Sequence, residues 1–181
     1  IDGEGILTAH SNSAPTEIEY EITRARGNSR IVAPQESSQW LEEEFAHLPA
    51  AVRRDLDKAK GASDHKKAYW VQRVLNKYFA YSGLQKVKLN NGTWCGLLGG
   101  ALEQDGRFYG DCDVLGVYCF IFSRYLGLDS VALVGFVTDS RTPAFLYGAN
   151  GHLMTAARIG QSWQLFDPTR FVGMDERPLG F

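Results

Sequence analysis

Cysteine is scarce in this chain, long apolar runs are absent, and neither sign of charge dominates. The three cysteines, Cys95, Cys112 and Cys119, cannot all pair, and none of their spacings is the CxxC that zinc sites prefer. At least one thiol is therefore free. The longest apolar stretches, Val131 to Val137 and Val114 to Phe122, fall well short of the roughly 20 residues that cross a bilayer. Nineteen basic against 21 acidic side chains leave a net charge of -2, and with a pI near 6.1 there is no basic stripe for a phosphate backbone, which excludes nucleic acid as a partner. What is present is ordinary globular composition, 44% hydrophobic and 12% aromatic over 181 residues. A chain of this length buries roughly 70% of its extended surface and folds as one soluble domain without a metal or disulfide staple. It begins at Ile1 and shows no charged, apolar leader, which fits a signal or flanking domains removed from a larger parent protein and leaves the compartment open.

Residues 1–37 read as a polar, turn-rich arm around one alternating run, Glu17 to Thr23, in which Ile18, Tyr20 and Ile22 share a strand face. Residues 38–181 read as the functional domain. From Ser38 the period turns helical, with Trp40, Leu41, Phe45 and Leu48 on one side until Pro49. A second helix is predicted from Pro49 to Lys60, with Gly61 as its left-handed stop. Ser63 or Asp64 caps a third, whose stripe is Ala68, Val71, Val74, Leu75 and Tyr78 while Lys66, Lys67, Arg73 and Lys77 stay solvated. Tyr81 to Gly110 reads as a long loop, with an Asn90-Asn91-Gly92 turn signal and the run Gly96-Leu97-Leu98-Gly99-Gly100. A helix from about Asp111 to Leu126 follows, stopped by Gly127, and then a buried β-branched strand at Val131 to Val137. After a turn-rich loop through Pro143, two more strands are predicted, His152 to Ile159 and Trp163 to Phe166. Helices first, then a helix and antiparallel strands, is an α+β order.

Cys112 opens the helix at Asp111. Helix amides and dipole stabilise an anion by up to about 2 kcal/mol, which brings a thiol from about 8.5 to about 7 at best. Asp111 and Asp113 oppose that shift, although Asp111 as N-cap spends its carboxylate on backbone amides, and Asp113 reads as a solvated or substrate-facing group. The dipole alone does not make a strong thiolate, so a histidine is needed. Of the four histidines, His10 lies in the arm and His47 and His65 on helical segments. His152 opens a strand, and a hairpin centred between Ile159 and Gly160 pairs 157 with 162, 154 with 165 and 152 with 167. His152 and Asp167 then face each other directly, Cβ atoms about 5 Å apart, and the carboxylate orients the imidazole.

Several stretches in this order resemble a known family. Tyr109-Gly110-Asp111-Cys112-Asp113-Val114-Leu115, then Phe122-Ser123-Arg124-Tyr125-Leu126-Gly127-Leu128 and Val134-Gly135-Phe136, then Gly151-His152 and Ser162-Trp163-Gln164-Leu165-Phe166-Asp167-Pro168-Thr169 are similar to the transglutaminase-like core, a papain-like fold. In that family a thiol at a helix N-terminus is followed by leucine-arginine-x-leucine-glycine, a strand, the histidine, and a tryptophan shortly before the aspartate of an Asp-Pro-Thr motif. The match spans about residues 109–170. Asp111-Cys112-Asp113 stands where animal enzymes read Gln-Cys-Trp and is closer to the bacterial Gly-Asp-Cys form. Met154 stands where members commonly carry an aromatic.

The resemblance implies Cys112 as nucleophile, His152 as general base and acid, and Asp167 as orienting carboxylate. It further implies the Cys112 backbone amide as one oxyanion donor, with a tryptophan upstream, Trp94 or Trp70, as the second; Trp94, in the glycine-rich stretch, is the expected one. The implied activity is that of a thiol acyltransferase or hydrolase: attack on a protein glutamine carboxamide or peptide carbonyl, a thioester, and its resolution by water or a primary-amine acceptor. No cofactor and no metal are implied. A papain-like thiol protease or amidase uses the same triad, and a non-catalytic binding module can keep the same fold.

Overall fold

A computed structural model describes residues 36–82, 92–136 and 151–170. The predicted arm strand at Glu17 to Thr23 lies outside the described residues. Helix α1 (Glu36–Ala46) ends where its last carbonyls, those of Phe45 and Ala46, accept from Arg53 Nη2 at 2.8 and 3.2 Å. Pro49 is the N-cap of α2 (Ala50–Asp57). This helix stops three residues short of Lys60, because residues 58–60 tighten into three-residue turns before Gly61 at φ +74°. Ser63 caps α3 (Asp64–Tyr78) by position only. Asp64 instead accepts from the Gly160 amide at 3.3 Å, tying α3 to the distant hairpin.

The predicted loop from Tyr81 to Gly110 is corrected by three elements, strand β1 (Phe79–Tyr81), helix α4 (Trp94–Asp105) and strand β2 (Phe108–Gly110). β1 and β2 pair in parallel, Phe79 with Phe108 and Tyr81 with Gly110, and α4 lies in the crossover between them, as parallel strands require. Gly96, Gly99 and Gly100 lower helix propensity, but both ends of α4 are well made. Thr93 Oγ1 accepts from Gly96 N at 3.0 Å, and Gly106 at φ +73° closes the C-terminus on Leu102. The carboxylate of Glu44, 1% exposed, accepts from the amides of Trp94 at 2.9 Å and Cys95 at 2.8 Å. A buried acid on α1 thus satisfies donors that α4 cannot satisfy itself.

β2 runs straight into α5 (Cys112–Tyr125), the centre of the core. Leu115, Tyr118, Cys119, Ile121 and Phe122 are all fully buried. On one side Phe79 and Phe108 pack on Tyr118, with ring centroids 4.9 and 5.4 Å away. On the other lies a three-stranded antiparallel sheet of order β3 (Ser130–Phe136), β4 (Gly151–Ile159), β5 (Ser162–Phe166). The protein is α+β, helices packed on an antiparallel sheet. β3 is not the buried strand its β-branched run suggested: Val134 is 76% exposed. α5 packs on one face of this antiparallel sheet and chiefly along β4, so burial alternates along β3 instead of running through it.

Candidate active site

Four local features build the mouth of the site at the N-terminus of α5. Gly110 ends β2 without a side chain because any Cβ there would stand 2.5 Å from Val114 Cγ1. Asp111 caps the helix, accepting from Val114 N at 3.3 Å, as its residue type predicts. Cys112 is then the first helical residue, partly buried, with Asp113 exposed beside it and accepting from its Sγ at 3.7 Å. Four residues on, Gly116 lets the helix press on β4: a Cβ there would meet Leu153 Cδ2 at 2.7 Å and the Leu153 carbonyl oxygen at 3.0 Å. Thr155 Oγ1 donates to the Gly116 carbonyl at 3.1 Å. α5 and β4 therefore run side by side in the same direction, Gly116 against Leu153 and Cys119 against Thr155. One turn above Gly116, the Cys112 thiol meets the backbone of Leu153, the residue next to His152.

His152 Nε2 lies 3.0 Å from Asp167 Oδ1, and the two side chains are only 14% and 11% exposed. The pairing is the one expected, but its register is not. The hairpin turns on Gly160 and Gln161, with Gly160 at φ +61°, and pairs Ile159 with Ser162, Ala157 with Gln164 and Thr155 with Phe166. That is two residues away from the predicted register, so Asp167 is diagonal to His152 instead of directly opposite. A slip of two preserves the face of every side chain where a slip of one would reverse it, and diagonal neighbours remain within reach of long side chains.

Asp167 is held from behind by Thr169, whose amide and Oγ1 donate to the same Oδ1 at 3.2 and 2.7 Å from the 3₁₀ turn Pro168–Arg170. The Asp-x-Thr spacing, which favours such side-chain-to-backbone turns, is the sequence signal for this role of Thr169. Burial alone would raise the Asp167 carboxyl, but hydrogen bonds from His152 and Thr169 hold it below its ordinary value. It is a carboxylate at neutral pH.

Burial also raises the Cys112 thiol above its ordinary value; the hydrogen bond from the Leu153 backbone opposes this, and Asp113 and Asp111 push the thiol further up. Trp94 sits in the first turn of α4 with its ring edge-on to Tyr118, centroids 5.8 Å apart, and its carbonyl accepts from the Tyr118 hydroxyl. Asp111 and Asp113 are brought to the thiol, and His152 is brought to Asp167. Among the described residues no group of three or more His, Cys, Asp or Glu could hold a metal ion. No described helix is long and apolar enough to cross a membrane.

All three cysteines are reduced. Cys119 is wholly buried, and burial pushes its thiol up to about 12; burial and the neighbouring Glu44 also push the buried Cys95 far up. Iodoacetamide at neutral pH is therefore expected to modify Cys112 stoichiometrically and to leave Cys95 and Cys119 intact in the folded protein. Peptide mapping by mass spectrometry checks this; equal labelling of Cys112 and either buried thiol would contradict it.

No protein-family model and no curated protein matches this chain. Among solved structures, the chain is similar to one described as "a Putative Cysteine Protease from Cytophaga hutchinsonii", at 16% identity and a TM-score of 0.46, over 76% of this chain and 43% of that one. The chain thus spans less than half the length of that structure.

Proposed function

We propose that this protein is a cysteine-dependent acyl-transfer enzyme with a papain-like, transglutaminase-like core and a Cys112, His152, Asp167 triad. The observation that carries the reading is the part-buried His152–Asp167 pair, 3.0 Å apart, beside the residue whose backbone hydrogen-bonds the Cys112 thiol. With Nε2 turned to the carboxylate, Nδ1 is the nitrogen that takes the thiol proton. The resulting imidazolium supplies the positive charge that neither dipole nor aspartates provide.

The thiolate attacks the carbon of a glutamine carboxamide or peptide carbonyl, and the Cys112 backbone amide donates to the developing oxyanion. Trp94, on Tyr118 of the same helix, is the choice for a second donor. As the carbon–nitrogen bond breaks, the imidazolium returns its proton to the departing ammonia or amine, leaving a thioester. Water or a primary amine then attacks, His152 removes the attacking proton, and Cys112 is regenerated as the acyl–sulfur bond breaks. Asp167, seated by Thr169, holds the ring in one tautomer throughout.

Exclusion of water decides between the two acceptors. Met154 stands where an aromatic wall would shelter an amine's apolar stem, and Asp113 is exposed. Electrostatic attraction of a cationic amine to such an exposed carboxylate is worth no more than about 1 kcal/mol, too little to overcome the concentration of water. Incubation with a glutamine-containing protein is expected to give hydrolysed, deamidated product alongside any incorporation of a fluorescent primary amine. Incorporation with no detectable hydrolysis would overturn this acceptor assignment, and loss of neither product in Cys112→Ala would overturn the enzyme.

A further inference from the structure

We infer that Leu133 is a specificity-determining residue of this site, an apolar wall beside the imidazole for a substrate side chain two or three residues from the reacting carbonyl. This inference rests on the acyl-transfer reading and adds a subsite to it. Residues directly opposite each other in an antiparallel pair share a face of the sheet, as do alternate residues of one strand. Leu133 stands opposite Met154, and Gly135 opposite His152. Leu133, Met154 and His152 therefore share one face, and Leu133 is the diagonal neighbour of His152, about 7–8 Å away. The β4–β5 register, continued one pair past Thr155 and Phe166, sets Asp167 opposite Met154 on that same face, beside His152. Residue 135 is a glycine, so β3 sends no side chain over the ring from directly opposite. Leu133 and Met154, both partly exposed, border the space that this leaves.

The thiol reaches this place from the rim of the sheet. Amide groups alternate in direction along a strand. That of Arg158 donates to the Asp129 carbonyl at 2.7 Å, on the β3 side of β4, so that of Leu153, five residues earlier, points to the β5 side. The paired part of β5 ends at Phe166 opposite Thr155, and the Leu153 amide beyond it meets the Cys112 thiol instead. Leu153 turns its side chain to Gly116 of α5 and His152 turns to the other face, so the thiol lies between the two faces at the edge of β4. From that edge to β3 is somewhat under two strand spacings, roughly 8–10 Å, which two or three residues of an extended substrate span at about 3.3 Å each. Val134 is 76% exposed but stands opposite Leu153, on the other face from Leu133, and serves as a control.

An apolar substrate side chain at that distance loses water on packing against Leu133 and Met154. The test uses one reactive group with and without such a side chain, chloroacetyl-glycyl-leucinamide and chloroacetyl-glycyl-glycinamide, and takes the ratio of their alkylation rates at Cys112 against the same ratio for a free small thiol. The ratio cancels any change in the thiol itself. The wild-type protein is expected to prefer the leucine reagent by about fivefold over the free thiol, the size of one partly buried apolar contact. Leu133→Met and Val134→Ala are expected to keep that preference, and Leu133→Ala to lose most of it. A wild-type protein without the preference, a Leu133→Ala protein that retains it, or a Val134→Ala protein that loses it equally overturns the subsite and leaves the triad standing. A Cys112 that reacts with neither reagent overturns the acyl-transfer reading and the subsite together.

Discussion

Replacing His152 by alanine is expected to lower turnover by about 10⁴-fold or more and to shift alkylation of Cys112 to alkaline pH. Burial, Asp113 and Asp111 act against ionisation of that thiol, and the Leu153 backbone hydrogen bond and the helix terminus act for it. Without the imidazolium the balance lies with the neutral thiol, which is a poor nucleophile at pH 7. Asp167→Asn is expected to be milder, roughly 10²- to 10⁴-fold, because the ring keeps a hydrogen-bonding neighbour but loses control of its tautomer. The two variants are separable by the pH profile of alkylation, which moves strongly in the first and less in the second. Wild-type turnover in both, on a substrate hydrolysed by the parent protein, would remove the triad.

Tyr118→Ala carries the largest expected effect on stability. The ring is wholly buried among Phe79, Trp94, Phe108 and Phe122, and its hydroxyl satisfies the Trp94 carbonyl. Emptying that space costs about 3–5 kcal/mol, a large share of the roughly 5–15 kcal/mol that holds a typical domain together. For a chain of this size the melting temperature should fall by about 10 °C or more. Tyr118→Phe keeps the packing and loses only the hydrogen bond, so a fall of about 1–2 kcal/mol is expected. Thermal unfolding of the two variants separates packing from polar contributions; an alanine variant as stable as the phenylalanine one would show that the ring is not the keystone between β1, β2, α4 and α5.

Where the sequence was legible, the reason is local. The helix of Cys112 declares itself through Asp111 as cap and the apolar positions Leu115, Cys119, Phe122 and Leu126, all set by neighbours within four residues. The strand of His152 and the strand that leads into Asp167 were likewise readable from alternation and from the turn between them. Even the two-residue error in hairpin register left the pair on one face, since parity survives an even slip.

Where it was not legible, the deciding partner is far along the chain. α4 is glycine-rich, yet it forms, because Glu44, some fifty residues earlier, supplies its first turn with a buried carboxylate. The β-branched run of β3 reads as buried, yet Val134 is exposed, because the helix that packs on one face of the sheet comes from a distant segment and composition does not say what it covers. The sequence by itself thus determined α1, α2, α3, α5 and the strands of the antiparallel sheet as elements, and the cap at Asp111. Only the tertiary structure decided their neighbours, exposure and register, because propensity and capping act over a single turn or strand pair while burial and strand pairing are settled between segments that meet only on folding.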